Sequence, residues 1–503
     1  VSENNKIAKN TIFLYFRMFL TMAVGLYTSR IVLNTLGIED YGVYNVVGGI
    51  VVIFSFFNSA MSSATQRFLS FDIGSKDYFQ LKKTFNTTLN IHFLIAIIVL
   101  ILAESVGLWF VNYKLNLPAE RMIAVNWVYQ FSVFTFLFGI IQVPYNALII
   151  ARERMNIYAY ISIFEVVFKL IIVYLLVIVD FDKLILYSAL LFGIAFFVRF
   201  FEKTYCKKHF EESKYEFYYD KSYTKTLLSY SGWSLFGNVA AIGRSQGINI
   251  LLNLFFGTLL NASYGIAMQV QGVVNTFVSN FQMAVNPQIV KRYAAGEIKE
   301  SIKLICQSAK LSYFIMFIIA CPIIFNVDFV LKIWLKNPPI YTSMFVVLSL
   351  VNVLIDSISG PLMIGAQASG NIKWYQITIG SFILLCVPLS YLLLKIYNDP
   401  NLVFYVIIAI NLISLFLRVL FLRKLINLNV SVFLKDVLLP IAAVTFVFIA
   451  IYYALINYTL VIQNQSISFL YKAGLSVMIN LFLIFFIGMS KSERIFLTNF
   501  IRR

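Results

Sequence analysis

The order of apolar and polar positions divides this chain into long apolar runs joined by short polar segments. Runs fall at 11–36, 41–66, 84–111, 119–150, 157–179 and 183–202. After a polar stretch they resume at 226–256, 260–288, 304–327, 340–368, 374–396, 401–422, 436–457 and 467–489. Each is long enough to cross the hydrocarbon of a bilayer, for which a helix needs about 20 residues. The pattern predicts an all-α polytopic membrane protein of about 14 transmembrane helices. The division between the first two runs rests on Gly37 and the acidic pair Glu39–Asp40.

Composition agrees. Of 503 residues, 60% are hydrophobic and only 13% charged, with a mean hydropathy of +0.82. So few charges cannot furnish an aqueous surface. The longest polar stretch, 205–225, is linker-sized and mixes Lys, Glu and five tyrosines, which reads as a cytoplasmic tether. The first apolar run continues to full span length, unlike a cleavable signal peptide. Cys206, Cys306, Cys321 and Cys386 have no metal or redox spacing.

The net charge of +17 raises the question of a nucleic-acid partner, but the distribution answers it. Alternate connections carry the bases: Lys76, Lys82 and Lys83, Arg152 and Arg154, Lys203 to Lys225, Lys291 and Arg292, Arg423 and Lys424, Lys491 and Arg494. The opposite connections hold few bases and the acids Glu39, Asp40, Asp180, Asp182, Asp328 and Asp399. By the positive-inside bias, an even helix count and this asymmetry put both termini in the cytoplasm. The charge then needs no nucleic acid. Trp109 and Trp334 at outer ends, and Trp233 and Trp374 at inner ends, fit an aromatic belt.

The chain also repeats itself. PYNALIIARERMNIY (144–158) matches PLMIGAQASGNIKWY (361–375), FFVRFF around Arg199 matches LFLRVLF around Arg418, and LGIEDYGVY (36–44) echoes FGTLLNASYGIA (256–267). Six helices per repeat is an even number, so the repeat is parallel, with a pseudo-twofold along the membrane normal. The expected organisation is a six-helix bundle over 1–204, a linker over 205–225, a second six-helix bundle over 226–424, and two additional helices over 425–503. Two such bundles are a transporter architecture.

This arrangement resembles the MOP flippase superfamily. SRIVLNTLGIEDYGVYNVVGGIV (29–51) followed by SATQRFLSFDIG (63–74) is similar to the polysaccharide-export branch, the Wzx-type O-antigen or capsule flippases. The resemblance implies an inner-membrane protein that moves polyprenyl-diphosphate-linked oligosaccharide from the cytoplasmic to the periplasmic leaflet. It implies no catalysis, no resident cofactor or metal, and a function complete in one chain. Coupling to H⁺ or Na⁺ stays open. Two other readings are a cation-coupled multidrug exporter of the same superfamily and, from another class, a membrane glycosyltransferase or polysaccharide polymerase. Short outer connections speak against the enzyme.

Ionisable residues inside spans are expensive, roughly 2.5–3.5 kcal/mol at mid-helix, and they usually face a cavity. Arg17, Arg30 and Arg244 are the candidates to line a cationic central cavity, because guanidinium stays charged and forks onto phosphate oxygens. Arg67 is a further candidate, although it and Arg199 lie at inner ends where snorkelling is the simpler reading. Glu165 and Lys169, four apart, read as a structural pair before a proton relay. Asp356 reads equally as a partner of Arg244 or as a coupling-cation ligand. Pro144 and Pro361, at matching places in the repeat, are hinge candidates, with a fixed kink as the plainer alternative. Gly243 and Gly247 flank Arg244 as a close-packing pair.

Overall fold

A computed structural model describes residues 3–52, 55–115, 118–335, 337–458 and 464–501. Two compact units divide the chain, Val1–Leu235 and Phe236–Arg503. The first contains α1 (Glu3–Val52), α2 (Ser55–Gly74), α3 (Tyr78–Leu102), α4 (Leu108–Tyr113), α5 (Met122–Ala151), α6 (Met155–Ile178) and α7 (Lys183–His209). Helix α8 (Lys221–Phe256) begins in the first unit and continues into the second. There follow α9 (Thr258–Ala294), α10 (Ile298–Phe325), α11 (Val327–Leu335), α12 (Thr342–Ala368), α13 (Lys373–Leu384), α14 (Cys386–Tyr397) and α15 (Leu402–Ile426). The chain ends in α16 (Val430–Phe433), α17 (Leu439–Tyr458), α18 (Gln465–Leu483) and α19 (Lys491–Ile501).

Twelve helical stretches among the described residues are long and apolar enough to cross a membrane. Two expected spans are not in that set. The run at 41–66 straddles α1 and α2 and includes residues 53 and 54, which lie outside the described residues. The run at 260–288 is α9, whose 37 residues are diluted by Asn261, Gln269, Gln271 and Asn275. The first two runs divide where the sequence divides them: within α1 two helical stretches meet at a kink at Gly37, whose φ of 80° and ψ of 169° are not helical. Apolar side chains such as Ile97, Ile101, Val177, Ile178 and Phe197 stand exposed on the helices, as a protein solvated by lipid requires.

The repeat is written into the backbone of each unit. Gly37 bends α1, and Gly257, with φ 76° and ψ −171°, separates α8 from α9 in the same conformation. Lys76 (φ 60°) ends α2 as Gly296 (φ 81°) ends α9. Glu153 (φ 59°) follows α5 as Gly370 (φ 78°) follows α12. The turn hydrogen bonds match as well: Lys76 N to Ile73 O corresponds to Gly296 N to Tyr293 O, and Asp77 N to Asp72 O to Glu297 N to Arg292 O.

In the first unit, one buried cluster joins Leu69, Phe85, Leu148, Ile161, Leu176 and Val198, and another joins Val43, Val99, Val125 and Tyr129. At the end opposite the basic connections, Arg121 clamps two helices. It bonds Asp40 just past the α1 bend at 2.7 Å and Asp182 at 2.7 Å. Asp182 also caps α7 by accepting from the amides of Leu184 and Ile185. The segment after α7 does not hang as a free tether. Asn86 accepts from Glu216 N, Asn90 donates to Tyr218 O, and Lys82 pairs with Glu216, so the segment is stitched along α3. In the second unit, the C-terminal helices pack on α10 through Tyr313–Thr445 at 2.9 Å and a nearly dry ion pair, Lys310–Glu493, at 2.8 Å.

Gly257 has open space where a Cβ would stand, so an added methyl would meet only its own backbone. That φ/ψ region is essentially glycine's alone. Gly257→Ala should therefore destabilise the protein by about 1–3 kcal/mol. Gly265→Ala, equally uncrowded but inside α9 at negative φ, should be neutral or mildly stabilising. Unfolding midpoints of the two variants in detergent micelles compare them directly.

Candidate functional site

In the first unit, Arg17 lies within the α1 span Ile7–Gly25. Its Nη1 reaches Ser162 Oγ at 3.5 Å, and its guanidinium carbon sits 4.8 Å from the centroid of the Tyr158 ring. Both contacts come from α6. The side chain of Arg30 lies outside the described residues.

Arg67 does not snorkel. Its residue is 8% exposed, with its guanidinium over Phe68 and Phe71 at 4.6 Å each and over Tyr230 at 5.6 Å. Behind it lies a polar knot that sequence patterning missed. Thr84 bonds the Asp72 carboxylate and also meets Tyr223 OH at 2.6 Å. Asp72 lies beyond the end of the expected second span. Burial pushes its pKa from 3.8 up to about 7, against the opposing pull of the Thr84 hydrogen bond and the Arg67 charge. The trace of this knot in the sequence is the polar run SFDIGSKD at the joint between two helices.

Arg199 does not snorkel either. Pro144, inside α5, has no N–H for the Ile140 carbonyl. One residue on, the Ile141 carbonyl accepts Arg199 Nη1 at 2.7 Å, and the guanidinium lies 4.5 Å over Tyr145. Next to them, Gln142 donates to the buried Glu202 at 2.5 Å. Glu165 and Lys169 form an ion pair of 2.6 Å on α6, at 39% and 44% exposure. His92 and Glu104 find separate partners, Thr88 O and Gln130.

The second unit solves the proline problem with an amide. Pro361 deprives the Ser357 carbonyl of its helical donor, and Gln282 Nε2 supplies one at 3.1 Å. The same Nε2 lies 3.1 Å from Ser312 Oγ, which ties α9, α10 and α12 at the kink. A Cβ at Gly360 would collide with the Gln282 amide, so glycine is what admits this brace. Arg418 donates to Tyr375 OH, and both are buried. Near each proline, then, a side chain from a neighbouring helix bonds a helix carbonyl: Arg199 that of Ile141 in α5, and Gln282 that of Ser357 in α12.

Arg244 lies within α8, and its partner is an amide. Nη1 donates to Asn411 Oδ1 at 3.1 Å, and Asn411 Nδ2 donates to Asn352 Oδ1 at 2.6 Å. Of the two readings of Asp356, the pairing with Arg244 is not made: Asp356 is exposed on α12, and among the described residues no carboxylate pairs with Arg244. Gly243 and Gly247 let α13 and α14 approach. Added Cβ atoms would come within 3.2 Å of Leu384 and 2.7 Å of Val387. Asn411, Asn352 and Gln282 carried no weight in the sequence, because one amide in an apolar run is not a signal until its partner is seen.

No known family model matches the chain, and no curated relative matches it by sequence. Solved structures match in fold. An outward-facing multidrug-resistance MATE transporter of the MOP superfamily aligns with a TM-score of 0.69 at 13% identity, covering 84% of this chain and 96% of the other. A MOP-superfamily transporter from Pyrococcus furiosus aligns with a TM-score of 0.66 at 13% identity, over 85% and 96%. The Vibrio cholerae MATE transporter VcmN in its bent form aligns with a TM-score of 0.66 at 17% identity, over 85% and 98%. The chain therefore has the all-helical fold of MOP-superfamily transporters.

Asp72 gives a pH prediction. With its native pKa raised from 3.8 to about 7, the folded state binds more protons than the unfolded state between those values. The stability contributed by holding that proton is complete below the unfolded value and is lost as pH rises through about 7. Asp72→Asn keeps the neutral form at every pH. Its unfolding midpoint should exceed wild type by roughly 1–3 °C at pH 8 and should match it at pH 3, below both values. Thermal unfolding in micelles at the two pH values reads the difference.

Proposed function

We propose that the chain is a flippase that moves polyprenyl-diphosphate-linked oligosaccharide from the cytoplasmic to the periplasmic leaflet of a bacterial inner membrane. The observation that carries this reading is Arg244. A guanidinium within a spanning helix, held by an amide and by no described carboxylate, keeps its full positive charge for a ligand. A diphosphate supplies the complementary anion, and the forked donors suit its oxygens. Arg17, in the first helix of the first unit, and Arg30, from sequence alone, belong to the same reading. The Wzx-like segments at 29–51 and 63–74 support it, as does the transporter fold. In this reading both termini are cytoplasmic, one chain suffices, coupling to H⁺ or Na⁺ stays open, and the protein makes or breaks no covalent bond.

The competing reading is multidrug export, which the name of one fold neighbour suggests. A retained positive charge within α8 disfavours cationic drugs. The two readings separate in proteoliposomes loaded with a lipid-diphosphate-linked oligosaccharide. Wild type should expose the glycan on the opposite face. Arg244→Ala should slow this by about tenfold or more, and Arg244→Lys, which keeps the charge without the fork, should fall between. Transport of an organic cation with no glycan movement would replace the flippase by the drug exporter. Equal flipping in all three proteins would remove Arg244 from the site.

A further inference from the structure

The first unit contains a cavity of about 940 Å³ that the intramembrane arginines do not explain. Its walls come from the first turns of α1, the start of α3, the turn between α5 and α6, and the segment after α7. These are the basic connections, so the reading of orientation puts the cavity on the cytoplasmic side. Lys9 and Asn10 belong to the same helix as the α1 span Ile7–Gly25, and Tyr160 to the second turn of the α6 span. The cavity therefore sits at the edge of the hydrocarbon. A ligand head can lie in it while an attached lipid chain stays in the bilayer.

The lining mixes three chemistries. The first is cationic. Lys9 and Arg154 are exposed, and among the described residues no carboxylate pairs with either. The second is acidic but already engaged: Glu212 pairs with Arg152 at 2.6 Å and Glu211 with Lys214 at 2.7 Å. These carboxylates leave oxygen lone pairs for hydroxyl donors without repelling an anion at full strength. The third is aromatic. Tyr78 and Tyr160 are 59% and 54% exposed, with Phe13 set edge-on to Tyr160 at 6.2 Å. The site is also braced before any ligand arrives. Arg152 bonds Glu212 through Nε at 2.8 Å and lies 5.8 Å over both Tyr78 and Phe210, and Asn10 donates to Glu153 O at 3.4 Å.

A phosphate alone would need only the cations, and a lipid tail only the rings. Unneutralised cations, engaged carboxylates and exposed rings in one cavity fit a sugar with a diphosphate attached. The diphosphate meets Lys9 and Arg154, the hydroxyls meet carboxylate oxygens, and the C–H faces of the sugar meet the tyrosines. We propose that this cavity is a docking site for the glycosyl diphosphate headgroup of the lipid-linked substrate, occupied before translocation. The proposal rests on the flippase reading for the lipid; a soluble nucleotide sugar presents the same headgroup chemistry.

The test uses the full chain in nanodiscs of zwitterionic lipid. The probes are farnesyl-diphosphate-linked N-acetylglucosamine, UDP-N-acetylglucosamine and inorganic pyrophosphate, with binding read by thermophoresis. Wild type should bind the farnesyl-linked probe, with pyrophosphate competing. The double variant Lys9→Ala/Arg154→Ala should weaken that binding by about tenfold or more. Tyr160→Ala should weaken the sugar-bearing probes and leave pyrophosphate unchanged. Both altered cations are exposed, so an unchanged unfolding midpoint certifies the fold. No binding of any probe, or binding undiminished in the double variant, overturns the proposal. Binding of UDP-N-acetylglucosamine alone overturns the lipid-borne occupant. The flipping assay stands apart. Wild-type flipping with undiminished binding in the double variant sinks the cavity and leaves the flippase. Binding lost in the double variant without any wild-type flipping sinks the flippase and leaves a glycosyl diphosphate site.

Discussion

Every backbone carbonyl and amide in the hydrocarbon must find its partner inside the protein, because the solvent there offers none. Helices meet this demand until a proline removes a donor. At Pro361 the orphaned Ser357 carbonyl is met by Gln282, which in turn binds Ser312 and requires a glycine at 360 to reach its place. At Pro144 the neighbouring Ile141 carbonyl is met by Arg199. Only in the second unit does the side chain meet the carbonyl that the proline leaves without its donor; in the first, Arg199 reaches the next one along. Each proline-containing helix is thereby tied to a neighbouring helix by a hydrogen bond close to the proline.

That constraint also separates what was legible in the sequence from what was not. Spans, basic connections and the repeat were legible, because each is a pattern summed over many residues. The repeat even foretold backbone geometry: Gly37 and Gly257, aligned by a faint likeness of their surroundings, share one strained conformation. The fate of single charges was not legible. Arg67 and Arg199, near helix ends, had a route to the interface, yet each is drawn inward by rings or by a carbonyl that only the fold brings near. By sign Asp356 was one of two equal readings as the partner of Arg244, whereas the structure gives Arg244 the neutral Asn411. Charge complementarity in a sequence says what could pair. Helix packing decides what does.

The long stretch after α7 follows the same logic. Its composition is that of a tether, and polar composition alone gives no reason for it to fold against anything. Its order comes from α3, where Asn86 and Asn90 present amides to its backbone and Lys82 pairs with Glu216. Those asparagines lie close to the start of an apolar run, and nothing in the run distinguishes them. Docked in this way, the segment supplies Glu211 and Glu212 to the cavity wall.

The repeat has diverged where chemistry is concerned. Tyr158 and Tyr375 occupy the same place in the sequence match, but Tyr375 bonds Arg418 while Tyr158 lies beneath Arg17. Glycines 296 and 370 take left-handed turns in the second unit that Lys76 and Glu153 take in the first. A side chain at such a position is strained, by roughly 1–3 kcal/mol. The first unit accepts that strain at Glu153, which lines the cavity between the unpaired Arg154 and the braced Arg152. Glycine at the matching position relieves the strain but presents no side chain. Two copies of one backbone plan thus carry different side chains at matching turns, Lys76 and Glu153 in the first unit and glycine in the second.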